Sequence, residues 1–161
     1  MLKIRKANIN DIDAIADIEK RCFPAAEAAS KSTFESRMNI FINHFYVAEI
    51  DGEIVGFVNG FVSDERTIRD EMFEDASLHN ESGKYQMIFG LDVLKEHRRK
   101  GIGHKLVQTM IEAAKDEGRA GVILTCKNEL ISYYEGMGFI NRGASKSVHG
   151  GAVWYDMELI F

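Results

Sequence analysis

The chain is poor in the residues that would set it outside the ordinary soluble class. Its 161 residues contain one proline, Pro24, one tryptophan and two cysteines, Cys22 and Cys126. A disulfide framework or a zinc site would need more cysteines or closer spacing, so both thiols read as reduced packing groups. No stretch approaches the about 18 consecutive apolar residues of a spanning helix. Met1-Leu2-Lys3-Ile4-Arg5-Lys6 alternates apolar and basic residues without the apolar run of a signal peptide. No basic excess is present either: the formal charge is -5. That balance speaks against a nucleic-acid partner, which wants a basic face, and permits a cationic substrate such as an amine. Hydrophobic residues at 45% and charged residues at 28% are those of a globular protein. With no Gly/Ser linker, low-complexity run or repeat, one domain over residues 1–161 in the cytoplasm is expected.

What is present is a succession of strand and helix signals. Leu2 to Ala7 alternates as a strand. Asn10 is expected to cap a helix with Asp11 and Asp13 in its first turn and Ile12, Ile15, Ala16 and Ile18 on its apolar face. Residues 24–30 read as a loop. Ser32, with Glu35 three residues on, is expected to cap a second helix striped by Phe34, Met38, Phe41 and Ile42. Phe45 to Ile50, Asp51-Gly52 and Glu53 to Val62 make a hairpin pattern. After a polar stretch with a short helix near 68–73, Tyr85 to Leu94 reads as one strand and Gly101 to Gly118 as a helix. Val122-Ile123-Leu124 reads as a buried strand and Glu129 to Met137 as a helix ended by Gly138. The last part, Phe139 to Phe161, is strand-like around Gly150-Gly151. The order β-α-α-β-β-β-α-β-α-β-β implies an α/β architecture with a central mixed sheet flanked by helices.

The densest chemistry lies between the strand at Leu91-Asp92-Val93 and the helix after Gly101. A strand feeding a helix through a glycine-bearing loop exposes backbone N–H groups at the positive end of the helix dipole, which is an anion site. Gly101 and Gly103 allow close approach of a ligand oxygen. Arg98, Arg99 and Lys100 add positive charge. The pattern is neither a phosphate loop ending in Gly-Lys-Ser/Thr nor a Gly-x-Gly-x-x-Gly dinucleotide turn.

These residues resemble the GCN5-related N-acetyltransferases. That family carries Leu-x-Val followed by Arg/Gln-x-x-Gly-x-Gly/Ala, here Leu91-Asp92-Val93 and Arg98-Arg99-Lys100-Gly101-Ile102-Gly103. Its second signature matches Tyr133-Tyr134-Glu135-Gly136-Met137-Gly138-Phe139. The resemblance covers nearly the whole chain and implies direct transfer of acetyl from acetyl-CoA to an amine, without a metal.

The resemblance implies that Leu91, Asp92 and Val93 pair with the pantetheine amides as a further strand. The Val93 region supplies an N–H to the oxyanion, and residues 98–103 with His104 hold the pyrophosphate. Asn128 and Tyr133 are further coenzyme contacts. Tyr134 is the general acid for the leaving thiolate, a phenol having a pKa of about 10 when unperturbed, near that of a thiol.

Within the family the chain looks closest to the arylalkylamine N-acetyltransferase-like branch, through residues 22–30, 124–130 and 148–157. The two strand histidines of that branch's vertebrate members are matched by Met87 and Phe89, which take no proton. Glu27, in the first loop, is the candidate base acting through water, and His149 a second candidate. Phe23, Phe34, Phe41, Tyr85, Phe89, Trp154 and Tyr155 are candidates for lining an acceptor pocket. The implied partner is a small amine, with monomer or homodimer open. The alternatives are an acetyl-CoA-binding regulatory module and an acetyltransferase of protein N-termini or lysines.

Overall fold

The computed structural model describes residues 1–161 and forms two compact units. The first contains Met1–Gly60 and Gly90–Met110, the second Phe61–Phe89 and Ile111–Phe161.

In the first unit, β1 (Leu2–Lys6), β2 (Phe45–Ile50), β3 (Glu53–Asn59) and β6 (Gly90–Val93) form an antiparallel sheet in the order β1-β2-β3-β6. The β2–β3 hairpin turns through Asp51 (φ 51°) and Gly52 (φ 84°), the positive-φ pair that matches strand twist, as the Asp-Gly signal predicts. Helices α1 (Ile12–Cys22) and α2 (Lys31–Phe41) carry the apolar faces expected for them. Phe34, Phe41, Phe45 and Phe57 are essentially fully buried. The Phe34 ring stands edge-on to Phe57 at 5.6 Å and to Phe45 at 6.3 Å. Such pairs add about 0.5–1.5 kcal/mol each beyond area burial.

Both expected helix caps shift. Asn8, not Asn10, caps the first: its side chain accepts the Asn10 N–H at 2.9 Å, and a single tight turn over residues 9–11 precedes α1. Asp11 completes a capping box, its carboxylate accepting the Asn8 N–H at 2.8 Å, and Arg5 donates to the same carboxylate through its two terminal nitrogens at 2.8 and 3.0 Å. Ser30, not Ser32, caps α2 by accepting the Thr33 N–H at 3.2 Å, because Ser30 keeps the extended backbone a cap requires.

In the second unit, β4 (Val62–Ser63), β5 (Tyr85–Ile88), β7 (Gly121–Cys126), β9 (Tyr155–Ile160) and β8 (Ile140–Ala144) form a mixed sheet in that order. Strand β5 runs parallel to β7, and the other pairs are antiparallel. Helix α3 is Asp70–Glu74 and α5 is Ile131–Glu135, while α4, Ile102–Asp116, begins in the first unit and belongs to the second from Ile111 on. Glu158, nearly buried in β9, accepts from Arg66 at 2.9 and 3.0 Å and from Arg142 at 2.8 Å. Those two guanidiniums hold its carboxylate below the usual range.

The single strand expected over 85–94 is therefore two strands in two sheets. Phe89 interrupts it: its ring packs on Phe61 at 4.8 Å and Phe73 at 5.1 Å, while Gly90 onward pairs with β3. The β3–β6 pair is held close at Gly56, where an added Cβ would lie 2.6 Å from the Asp92 carbonyl oxygen. Gly56→Ala is expected to cost about 1–3 kcal/mol through backbone displacement, seen as a lower urea midpoint with unchanged slope. An unaltered midpoint would contradict this register.

Candidate active site

The coenzyme-loop residues form one continuous piece of the first unit. Strand β6 lies at the end of its sheet, so one side of its backbone has no strand partner within that sheet. The register settles which groups lie on that side. Gly56 stands opposite Val93 and Asn59 opposite Gly90, and the Leu94 N–H donates to Val55 O at 2.9 Å. In an antiparallel ladder hydrogen-bonded and non-hydrogen-bonded pairs alternate. Leu94, Asp92 and Gly90 are then the residues that bond to β3, while Leu91 and Val93 turn their N–H and C=O groups away from it. The Val93 carbonyl is already engaged: the Arg98 Nε–H donates to it at 2.8 Å and the Cys22 thiol at 3.6 Å.

Beyond β6 the chain makes a tight turn over residues 95–97. It then passes through Arg99, a non-glycine at φ 63°, and Gly101 at φ 80°. At Gly101 an added Cβ would meet nothing within 4 Å, so the loop is open there. Helix α4 starts at Ile102, and Gly101 O accepts the Lys105 N–H at 3.1 Å. The N–H groups of Ile102, Gly103 and His104 thus belong to the first turn, where a helix provides no internal acceptor. Arg98, Arg99, Lys100 and His104 are all exposed around it. The first unit brings together Leu91, Val93, Arg98, Arg99, Lys100, Gly101, Ile102, Gly103 and His104 as one edge-strand-to-helix segment.

Glu27 lies in the same unit, on the turn that closes when the Glu27 and Ala28 N–H groups donate to Pro24 O at 2.9 and 3.0 Å. It is half-buried. Asp92 differs from its strand neighbours: its side chain is 1% exposed and faces α1 and α2. Around it lie Glu19 of α1 and Arg37 of α2, with Asn59 of β3, all buried. Sequence reasoning missed this group. The available signal was a charge inside an apolar stripe: Glu19 beside Ile15 and Ile18, Arg37 among Phe34, Met38 and Phe41.

The second unit carries the remaining candidates. Tyr134 on α5 is 5% exposed, edge-on to Tyr133 at 5.2 Å and to Phe139 at 5.8 Å. Burial raises the Tyr133 phenol. Asn128 opens a tight turn over 128–130, and Lys127 rather than Asn128 takes the cap position. Gly138, at φ 101°, ends the α5 segment as expected. Met87, matching one of the branch histidines, is fully buried. His149 is not a plain loop histidine: its ring stacks on Phe73 at 5.0 Å and its carbonyl accepts the Trp154 indole N–H at 2.9 Å. Lys127 lies over the Trp154 ring at 5.7 Å.

An edge strand running into a helix N-terminus is an arrangement that can receive an extended ligand ending in anionic groups. The sequence matches the Acetyltransferase (GNAT) family over residues 12–139, and the chain belongs to that family. It is 34% identical to human N-acetyltransferase 8 over 104 residues, 63% of this chain and 40% of that protein. It is 26% identical over 141 residues to an N-alpha-acetyltransferase of Sulfurisphaera tokodaii, covering 85% of this chain and 79% of that protein. The chain thus spans less than half the length of the human relative. Among solved structures, a GphF GNAT-like decarboxylase in complex with isobutyryl-CoA superposes with a TM-score of 0.86 at 22% identity, over 98% of both chains. That likeness establishes the mixed α/β fold. No helix is long and apolar enough to cross a membrane.

Both thiols are held protonated. Burial raises Cys22 more than the Arg98 guanidinium lowers it, and burial pushes Cys126 up to about 11. At pH 8 Cys126 is then roughly 0.1% thiolate, against about a quarter for a free thiol. Alkylation by iodoacetamide is expected to be slow for both at pH 8 and to accelerate as the pH is raised. Fast labelling of either at pH 7 would refute the burial argument.

Proposed function

We propose that the chain is a single N-acetyltransferase domain that moves the acetyl group of acetyl-CoA directly to a primary amine, a small arylalkyl- or polyamine. The observation that carries this reading is the edge of β6, where Leu91 and Val93 face away from β3 and lead straight into the first turn of α4. An extended pantetheine arm suits the first and a pyrophosphate the second. The open space at Gly101 fits a phosphate oxygen against the backbone.

In this reading the amine nitrogen attacks the thioester carbonyl, a C–N bond forms and the C–S bond breaks. The Val93 N–H donates to the developing oxyanion. Glu27, through water, takes the proton the amine loses. Tyr134 has the role the family resemblance implies for it, returning a proton to the leaving thiolate, and Asn128 and Tyr133 are coenzyme contacts on the same ground. The arylalkylamine-like branch rests on the segments at 22–30, 124–130 and 148–157. A cytoplasmic location and a monomer or homodimer go with a small-amine enzyme.

A second reading, acetylation of a protein N-terminus, is favoured by the Sulfurisphaera tokodaii relative, whose name states that activity and which matches most of the chain.

Thiol release from acetyl-CoA with tryptamine, phenethylamine, spermidine and a short peptide decides between them. Glu27→Ala is expected to lower kcat/KM by about a hundredfold or more and Tyr134→Phe to lower kcat, given usual acid–base contributions. Gly101→Ala forces a Cβ into left-handed backbone, at about 1–2 kcal/mol, and is expected to weaken coenzyme binding about tenfold in calorimetry. Turnover of the peptide alone would replace the small-amine reading. Coenzyme binding with no turnover of any acceptor would leave a binding module.

A further inference from the structure

The two carboxyl groups of Asp92 and Glu19 meet inside the first unit with only one guanidinium for company. Asp92 is 1% exposed, and both its carboxyl oxygens are buried without a hydrogen-bond donor. Glu19 is 7% exposed, and its Oε2 accepts the Ala29 N–H at 2.9 Å. The groups converge on the α-carbon of Gly90. A methyl built there would lie 3.4 Å from Asp92 Oδ1, 3.5 Å from Asn59 Nδ2 and 3.9 Å from Glu19 Oε1. Arg37, 5% exposed, donates to Asn59 Oδ1 at 3.0 Å.

An ionised carboxylate buried without a donor is strongly disfavoured. A protonated Asp92 avoids that cost: it becomes a donor, and the Glu19 carboxylate is the acceptor beside it. Burial first, and then Glu19, push Asp92 well above the usual carboxylate range, with Cys22 adding to the rise and Arg37 opposing it. Burial lowers Arg37 to about 10, which leaves it cationic at neutral pH.

We propose that Asp92 and Glu19 form a carboxyl pair holding one proton between them, and that this pair positions the 24–30 loop, with Glu27, against strand β6. The link is physical at each step. Asp92 is a residue of β6, Glu19 stands on α1 beside it, and the other oxygen of Glu19 holds the Ala29 N–H two residues past Glu27. The charged and titratable groups that face the pair are Cys22 on α1 and Arg37 on α2. Loss of the shared proton sets the two carboxyl groups against each other, and any swing of Glu19 away from Asp92 also moves the oxygen that holds the Ala29 N–H. The catalytic meaning of this device rests on the amine-acetylation reading; its existence does not.

Two measurements on the full chain without substrate test it. In the folded protein Asp92 keeps its proton at pH values where the unfolded chain has lost it. Stability from this group is therefore complete below the unfolded value near 4, about the ordinary Asp pKa, and falls as the pH rises toward the folded value. In that window the unfolding constant of the wild type rises about tenfold per pH unit from this proton. Asp92→Asn, which keeps a donor without the titration, is expected to lack that component. Glu19→Ala is expected to speed amide exchange at Ala29 about tenfold or more, leaving the amides of β1 and β2 unchanged. Parallel pH profiles for wild type and Asp92→Asn, or unaltered exchange at Ala29, would overturn the proposal. With an active acceptor in hand, an alkaline decline in kcat/KM that Asp92→Asn lacks, and that returns with Asp92, carries the pair into catalysis. If both substrate-free results appear and no amine turns over, the pair stands and the acceptor assignment is what fails.

Discussion

The side of β6 that its own sheet leaves unpaired is the constraint on which the candidate site depends. A strand inside a sheet spends its N–H and C=O groups on both neighbours; β6 spends those of Gly90, Asp92 and Leu94 on β3 and keeps those of Leu91 and Val93. An unpaired edge is ordinarily an aggregation hazard. Here the strand is short, its last outward carbonyl is covered by Arg98 and Cys22, and the chain turns at once into α4. The close packing at Gly56 holds β6 at hydrogen-bonding distance from β3 and so fixes which residues face outward.

Below that edge the same strand carries an unusual electrostatic load. Asp92 points into the layer between the sheet and helices α1 and α2, where Phe34 and Phe57 exclude water. A buried ion pair seldom adds net stability, since desolvation offsets the Coulomb gain. Glu19, Arg37 and Asp92 are therefore poor candidates for simple glue, whereas their ties to Asn59 and to the Ala29 N–H give them geometric consequences. One strand thus keeps backbone groups unspent on one side and, through a side chain, connects to Glu19, which holds the loop that carries Glu27.

Much of this was legible in the residues. The Asp51-Gly52 turn, the α1 and α2 stripes, the Gly101 helix start and the Gly138 stop follow from local stereochemistry, and the paired signatures at 91–103 and 133–139 point to the family. The missed details are of two kinds, local and long-range. Asn8 and Ser30 displaced Asn10 and Ser32 as caps because Asn8 and Asp11 close a capping box and because Ser30 has the extended backbone a cap requires. The strand over 85–94 broke at Phe89 because that ring is bound to Phe61 and Phe73, contacts of long sequence separation that no local pattern encodes.

The Asp51-Gly52 turn, the apolar faces of α1 and α2 and the glycine at the start of α4 are properties of neighbours along the chain, set by backbone propensity and side-chain spacing, and the sequence by itself determined them. Which edge of β6 is open, and which carboxyl groups meet in a dry interior, are properties of residues brought together from positions as distant as 19, 37, 59 and 92. Only the tertiary structure decided those, because burial and loss of solvent screening, unlike periodicity, exist only once the layers have closed.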